Sequence, residues 1–163
     1  MKLYRSGGAL VMAAALFAAC DDTGTDPVVM ADLAGSWEAS SFRYTDAENS
    51  QITLDIITDA QGSLTLDITS TGAFTGLVII PGVTPEGGYP VGGTLTLDAD
   101  AGTIFVDFNA ASEALFSDFT ATFTLNEAGN ILTWTNPDTS FDFPDSFDPR
   151  GEVAAVLVVV LEK

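Results

Sequence analysis

The chain has 163 residues, with 23 acidic against five basic side chains, one cysteine, no histidine and a formal net charge of −18 at pH 7. A surface of this charge repels nucleic acid, so we expect no nucleic-acid partner. Without histidine and with one cysteine, Ser-His-Asp and Cys-His catalysis and the usual zinc sites are excluded, and we expect no enzyme activity.

The N-terminal residues follow the order of a signal peptide. Lys2 and Arg5 precede an apolar run over residues 9–19, which ends in small residues before Cys20. A helix needs about 20 apolar residues to cross a bilayer, so this run is too short for a permanent membrane span. We predict a signal peptide over residues 1–19 that is cleaved before Cys20, followed by a flexible tether over residues 20–31.

The segment Leu16-Phe17-Ala18-Ala19-Cys20 resembles the lipobox of bacterial lipoproteins, with Phe17 where that family usually has leucine. The resemblance implies that Cys20 becomes the lipidated first residue of the mature chain. Acyl chains such as palmitate would then anchor it to a membrane of the cell envelope, inner or outer. The alternative is an ordinary secretory signal with an incidental free thiol.

From residue 32 to residue 163, apolar residues alternate with Thr, Ser or Asp and helical spacing is rare, which predicts one all-β domain. A first strand is expected over 36–44, and a further strand or a short helix over 51–59. The clearest strand covers 64–68, where Leu64, Leu66 and Ile68 share one face. Three hairpins are predicted in succession, pairing 64–68 with 74–80, 94–98 with 103–108, and 119–125 with 130–135.

A closing strand is predicted over residues 153–161, which are apolar without alternation, so both of its faces should be dry. Its outer face would be covered by the chain's own loops or by a dimer or partner interface. Residues 81–93 and 136–151 are expected to be loops, and residues 110–116 to form one helical turn. The strands predict an antiparallel up-and-down meander that closes into a barrel of approximately eight strands.

The segment Leu33-Ala34-Gly35-Ser36-Trp37 resembles the Gly-x-Trp signature of lipocalins, and the chain resembles the bacterial lipocalin-like lipoproteins. The resemblance implies a barrel around a ligand cavity, with Trp37 closing one end. It also implies a basic side chain near the last strand that packs over the indole, for which Arg150 is the candidate.

An eight-stranded barrel holds either packed side chains or one small ligand, so two functions stay open. The first is a lipocalin-like module that binds a small hydrophobic ligand without catalysis; the second is a structural or protein-interaction lipoprotein with a filled barrel. A continuous cavity of roughly 300 Å³ or more favours the first. A transmembrane barrel is less favoured, because the polar strand faces suit water. The candidate lining or closing residues are Trp37, Leu66, Phe74, Phe105, Phe123 and Trp134.

Carboxylates recur in the second predicted loop, interleaved with Phe141, Phe143 and Phe147. Carboxylate oxygens are ligands that calcium prefers, although the spacing is not that of an EF-hand, and a solvated acidic loop is the alternative. The phenylalanines would dock on the barrel. No other cofactor is expected, and monomer and homodimer stay open. The candidate calcium ligands are Asp138, Asp142, Asp145 and Asp148.

Overall fold

The computed structural model describes residues 27–113, 116–144 and 148–163. Cys20 and the predicted signal peptide lie outside the described residues. No helix in the described ranges is both long enough and apolar enough to cross a bilayer. The described elements are α1 (Met30–Leu33), β1 (Gly35–Asp46), β2 (Thr53–Asp55), β3 (Ser63–Ile68), β4 (Ala73–Ile79), β5 (Tyr89–Asp98), β6 (Thr103–Phe108), β7 (Phe119–Leu125), β8 (Ile131–Asp142) and β9 (Glu152–Glu162).

All strands except β2 form one closed antiparallel barrel. From β3 to β9 each strand pairs with the next, while β1 pairs with β3 on one side and with β9 on the other. The short strand β2 pairs with the far end of β1, so the segment 51–59 adds a strand and not a helix. The predicted all-β, up-and-down, lipocalin-like barrel of eight strands is confirmed.

Alternation along the strands places the core inside the barrel. In β3, Leu64, Leu66 and Ile68 are buried, whereas Thr65 and Asp67 are exposed. The buried apolar side chains of the other barrel strands join the same core. Each fully buried side chain of this kind stabilises the fold by about 1.5–3 kcal/mol. A slip of one residue would turn all of them outward, so the alternation specifies the strand register.

Strand β9 differs from the expectation that both of its faces are dry. Its inward side chains are buried from Ala155 to Leu161, but its outward valines are only half-buried. These valines lie in register with polar residues of the neighbouring strands, which leave part of their surface in water. The outward valines and their partners are Val156 with Thr45, Val158 with Arg43 and Thr135, and Val160 with Ser41 and Thr133.

The two predicted loops are shorter than expected, because each contains part of a strand. Strand β5 begins at Tyr89 and includes Gly93, where a Cβ would collide with the carbonyl oxygen of Asp107. Strand β8 continues to Asp142 through a register shift between Asn136 and Thr139. Glycine and proline are typical of loops. Here, however, Gly93 allows a close contact with β6, and the register shift in β8 accommodates Pro137. Residues 110–113 form a turn in which the backbone N–H of Glu113 donates to the carbonyl oxygen of Asn109 at 3.1 Å, the spacing of a helical turn, while residues 114–115 lie outside the described residues.

The two ends of the barrel differ. At the closed end, where β1 begins and β9 ends, the strands are joined by tight turns at residues 69–72, 99–102 and 126–130, and α1 packs there with Leu33 fully buried. At the open end, the strands are joined by the longer segments 47–62, 80–88, 109–118 and 143–151. Binding groups are more often carried by such longer loops on a rigid scaffold.

Candidate functional site

Trp37 lies at the closed end of the barrel with 2% of its surface exposed. Its indole Nε1 donates a hydrogen bond to the carbonyl oxygen of Leu33 at 2.8 Å. The ammonium of Lys163 lies 4.4 Å from the centre of the indole ring. The basic residue over the tryptophan is therefore Lys163, and the expectation that Arg150 takes this place is wrong.

Gly35, two positions before Trp37, is at a place where a side chain would not fit. Its φ is +137°, a conformation that other residues rarely adopt, and a Cβ would lie 3.1 Å from Cε of Lys163. The glycine therefore provides both the backbone conformation and the space that the lysine needs to reach the indole.

An apolar cavity of about 50 Å³ lies inside the barrel, lined only by Phe, Leu, Val and Trp side chains. Pockets for drug-sized ligands have volumes of about 300–1,000 Å³, so most of this interior is filled by the protein's own side chains. Three residues that line the cavity also line an opening between strands at one end of the barrel, so the cavity lies directly beneath that opening.

Three of the six predicted lining residues, Leu66, Phe74 and Trp134, line the cavity together. Trp37 closes the other end of the barrel, and Phe123 is half-buried against the core without reaching the cavity.

Phe105 does not line the cavity, so its prediction as a lining residue is wrong. It lies on the outside of β6 with 41% of its surface exposed, while its neighbours Ile104 and Val106 are buried. Four apolar residues in this strand make both parities of the alternation plausible from sequence, and Ile104, Val106 and Phe108 take the inward one.

The opening at the open end, here called the mouth, has a volume of about 400 Å³. Its wall is mostly polar and includes the carboxylates of Asp118, Asp138 and Glu152. Three residues line both the mouth and the cavity beneath it: Phe116, Phe119 and Leu157. An amphipathic molecule could thus keep its polar part in the mouth and its apolar part in the barrel.

A group of aromatic rings forms the boundary between mouth and cavity. The ring of Phe108 stacks on Phe116 with 5.3 Å between centroids and contacts Phe74 edge-on at 5.7 Å. Phe119 packs against the same ring at 6.2 Å. Aromatic pairs of this geometry contribute about 0.5–1.5 kcal/mol beyond the area that they bury.

Tyr44, which also lines the mouth, stacks on Phe141 with 4.0 Å between ring centroids, and Phe141 meets Phe143 edge-on at 4.9 Å. Burial raises the pKa of Tyr44 to about 12, so its phenol is neutral at physiological pH. Phe141 and Phe143 thus dock on the barrel, while Phe147 lies outside the described residues.

Arg150 connects the end of β1 to the segment 143–151. Its guanidinium pairs with Asp46 and Asp148, of which 1% and 2% of the surface is exposed, and with the exposed Glu48 at 3.2 Å. Oδ1 of Asp46 also accepts hydrogen bonds from the backbone N–H groups of Glu48 at 2.7 Å and Asn49 at 2.9 Å. The two buried charges are thus compensated, as buried charges must be.

The four candidate calcium ligands are in different surroundings. Asp138 and Asp142 are exposed on β8, and Asp145 lies outside the described residues. Asp148 accepts hydrogen bonds from Nε of Arg150 at 2.9 Å, so a cation would have to compete with the guanidinium. In the described part of the chain, no group of three or more acidic side chains could hold a metal ion. The calcium site stays a prediction.

Trp134 carries an unused hydrogen-bond donor. Only 6% of its surface is exposed, and its Nε1 is the one buried side-chain nitrogen or oxygen without a partner among the described residues. Leaving such a group unpaired costs about 1–3 kcal/mol. Sequence reasoning did not find it, because the partners of an indole N–H are set by tertiary packing.

The candidate site therefore consists of the mouth, the aromatic boundary and the cavity with Trp134 in its wall. It combines carboxylates at the surface with an interior lined only by apolar side chains. No protein-family model, curated protein or solved structure matches the chain.

Proposed function

We propose that the chain is an exported lipoprotein of the cell envelope, anchored through Cys20, whose lipocalin-like barrel binds a small hydrophobic molecule at its open end without catalysis. The observation that carries the proposal is the apolar cavity whose lining residues Phe116, Phe119 and Leu157 also line the mouth. Because Trp37 seals the other end, a ligand would enter and leave through this mouth.

The volumes limit what such a ligand can be. A cavity of about 50 Å³ does not enclose a drug-sized molecule, whereas the mouth offers about 400 Å³. The bound molecule would therefore be either very small or held mainly in the mouth, with a narrow apolar part below the aromatic boundary.

The second candidate function is a structural or protein-interaction lipoprotein with a filled barrel. It is favoured by the small cavity, which falls well below the roughly 300 Å³ expected of an enclosed binding site. Under this alternative, partners would contact the loops of the open end or the half-buried outer face of β9.

The proposed anchor is supported by the order of charged, apolar and small residues before Cys20, the only cysteine of the chain. Cells expressing the protein would be fed a labelled fatty acid. The wild-type chain should carry the label, and the Cys20→Ser variant, which has no thiol to acylate, should not. Label in the variant, or none in the wild type, would contradict acylation at Cys20.

Ligand binding is tested by native mass spectrometry of the full-length Cys20→Ser chain, purified from its own host without detergent. Val159 lines the cavity, so Val159→Phe should fill it and remove a co-purifying molecule. Val158, the next residue of β9, points outward, and Val158→Phe is the matched control that should keep it. Bare wild-type protein, even after incubation with a lipid extract, would favour the filled-barrel alternative.

A further inference from the structure

The mouth carries three negative charges. Asp118, Asp138 and Glu152 line it, and all three are exposed. In the described part of the chain, no lysine or arginine lines either the mouth or the cavity beneath it. These charges add to the formal net charge of −18 of the whole chain. The opening therefore attracts cations from solution and repels anions.

The basic residues of the described ranges lie elsewhere. The guanidinium of Arg150 is occupied by three carboxylates, and the ammonium of Lys163 lies over the indole of Trp37 at the closed end. Arg43 is exposed on β1, in register with the outward Val158, and so lies on the outside of the barrel. The other two basic residues of the chain lie outside the described ranges. A counter-charge for the mouth is thus left for a bound molecule to supply.

Two of the three carboxylates are held in place by hydrogen bonds. Oδ1 of Asp118 accepts from the backbone N–H of Phe108 at 2.8 Å, which ties this carboxylate to the residue whose ring is at the centre of the aromatic boundary. Oε1 of Glu152 accepts from the hydroxyl of Ser140, another residue of the mouth. Both donors are uncharged, so the two carboxylates are positioned without being neutralised.

The mouth opens where two strands separate. Strand β7 begins at Phe119 and β8 runs to Asp142, but their pairing ends at Thr122 and Thr135. The three carboxylates come from different sides of this opening, namely the segment before β7, β8 and the first residue of β9. Calcium needs several oxygen ligands at about 2.3–2.6 Å, and no group of acidic side chains in the described ranges could hold a metal ion. The arrangement therefore fits a cation larger than a metal ion.

Beside the carboxylates, the wall of the mouth is aromatic. Tyr44, Phe116 and Phe119 line the mouth, and the two phenylalanines continue into the cavity together with Leu157. Aromatic rings attract cations through the negative charge of their faces. The carbon atoms of an organic cation also pack against such rings, which a hydrated metal ion cannot do. The cavity of about 50 Å³ below is apolar and has room for a narrow alkyl chain.

We infer that the mouth and the cavity bind an organic cation, an alkylammonium with a narrow apolar chain. Its ammonium group lies among the carboxylates of Asp118, Asp138 and Glu152, and its chain extends past Phe116 and Phe119 into the cavity. This inference rests on the proposed function and specifies the ligand class of the same site.

The test compares three probes that share a six-carbon chain and differ in the charge of the head group: hexylammonium, 1-hexanol and hexanoate. At neutral pH the amine is protonated, as the side chain of lysine is. The probes are titrated at about 0.1 M ionic strength into the ¹⁵N-labelled full-length Cys20→Ser chain, here called the parent chain. The shifts of its amide signals give the three dissociation constants.

The parent chain should bind hexylammonium roughly tenfold more tightly than hexanol, the combined effect of contacts with three exposed carboxylates. Hexanoate should bind most weakly, because the mouth repels anions. Added salt should reduce the preference for hexylammonium, since it screens exposed charges. Filling the cavity with Val159→Phe should weaken the binding of hexylammonium severalfold, whereas the outward Val158→Phe should not.

Two triple variants with the same change in net charge locate the bound cation. The mouth variant combines Asp118→Asn, Asp138→Asn and Glu152→Gln and should lose most of the preference for hexylammonium over hexanol. The control variant neutralises three exposed carboxylates at the closed end and should keep this preference within about twofold. Strand β9, which connects the two ends, is about 30 Å long, and the Debye length is about 10 Å at 0.1 M ionic strength. The control substitutions are Asp98→Asn, Asp100→Asn and Glu127→Gln.

The results separate the inference from the function on which it rests. If the parent chain binds hexanol as tightly as hexylammonium, or if the two triple variants lose the preference equally, the inference is wrong and the binding function stands. If the mouth variant does not fold, the order of the three probes on the parent chain and its dependence on salt decide the matter. If none of the three probes, nor any molecule of the lipid extract, binds the parent chain, both the inference and the proposed function are wrong.

Discussion

The ammonium of Lys163 lies 4.4 Å from the centre of the Trp37 ring and donates a hydrogen bond to the carbonyl oxygen of Asp32 at 3.1 Å. Lys163 directly follows β9, and Trp37 is on β1, so the contact joins the two strands whose pairing closes the barrel. One side chain thus covers the sealed end and links it to α1.

Loss of this charge should weaken the barrel measurably. We expect Lys163→Met, which keeps an apolar stem but loses the ammonium, to lower the free energy of unfolding by about 0.5–1 kcal/mol in urea titrations. Lys163→Arg is the matched control and should lose less than half of that. A Met variant as stable as the wild type would mean that the ammonium contributes nothing beyond packing.

The ion pair between Arg150 and Asp46 should stabilise the fold more than the contact of Lys163 with Trp37, because Asp46 has only 1% of its surface exposed. Arg150→Met would leave that charge unpaired, and we expect a loss of about 2–4 kcal/mol in the free energy of unfolding. The loss is not larger because 43% of the Arg150 side chain is exposed, so water screens part of the interaction. The measurement is a urea titration at neutral pH.

The exposed partner of the same arginine provides the control for this prediction. The Glu48 side chain is 81% exposed, so Glu48→Gln should change the unfolding free energy by no more than about 0.5 kcal/mol. A double variant with Asp46→Asn and Arg150→Met should lose less than the two single variants together. If the loss in the double variant equals the sum of the two single losses, the two side chains do not interact.

Asp55 fixes the segment that follows β2. Its carboxylate accepts hydrogen bonds from the hydroxyl of Ser41 at 2.6 Å and from the backbone N–H groups of Phe42 at 3.3 Å, Ile57 at 2.9 Å and Thr58 at 3.4 Å. Burial alone would raise the pKa of Asp55, but these donors outweigh it, and the net effect is a pKa below the ordinary value of 3.8.

A lowered pKa means that the ionised carboxylate stabilises the fold, and that this contribution is present above the unfolded-state value and lost as pH falls through the folded-state value. We expect Asp55→Asn to cost about 1 kcal/mol at neutral pH, and the cost to shrink as the pH falls below about 3.8. Urea titrations over this range check it. Asp100→Asn, at an exposed turn position, should cost little throughout, and a pH-independent cost for Asp55→Asn would contradict the prediction.

The orientation of β6 predicts opposite outcomes for two adjacent residues. Ile104→Ala removes a fully buried side chain and should cost about 2–4 kcal/mol, whereas Phe105→Ala should cost less than about 1 kcal/mol although it removes more atoms. Thermal unfolding of the two variants, compared with the wild type, measures both. A larger loss for Phe105→Ala would show that β6 faces the other way.

The fold could be predicted because its strongest signal is local. Alternation such as that of Leu64, Leu66 and Ile68 identifies both a strand and its inward face, and tight turns between such segments imply a meander. Phe105 shows where this reasoning fails. Where adjacent residues are all apolar, the parity of the alternation is ambiguous, and the pairing with neighbouring strands decides it.

The site could be predicted only in part, because it depends on contacts between distant residues. Leu66, Phe74 and Trp134 could be predicted as lining residues, because each is a large apolar residue on a strand that the sequence itself indicates. Lys163 was missed, because nothing near it in the chain relates it to Trp37. The unpaired N–H of Trp134 depends on which side chains surround it, and no pattern along the chain encodes the absence of an acceptor.

The position of Val28 beside the turn at residues 126–130 has a consequence for how the protein would stand on a membrane. Seven residues lie between Cys20 and Val28, and even fully extended the chain from one to the other spans no more than about 28 Å. Acylation of Cys20, as proposed, would therefore hold the sealed end close to the lipid and point the mouth into the aqueous compartment. A ligand would then be exchanged with that compartment and not drawn sideways out of the bilayer.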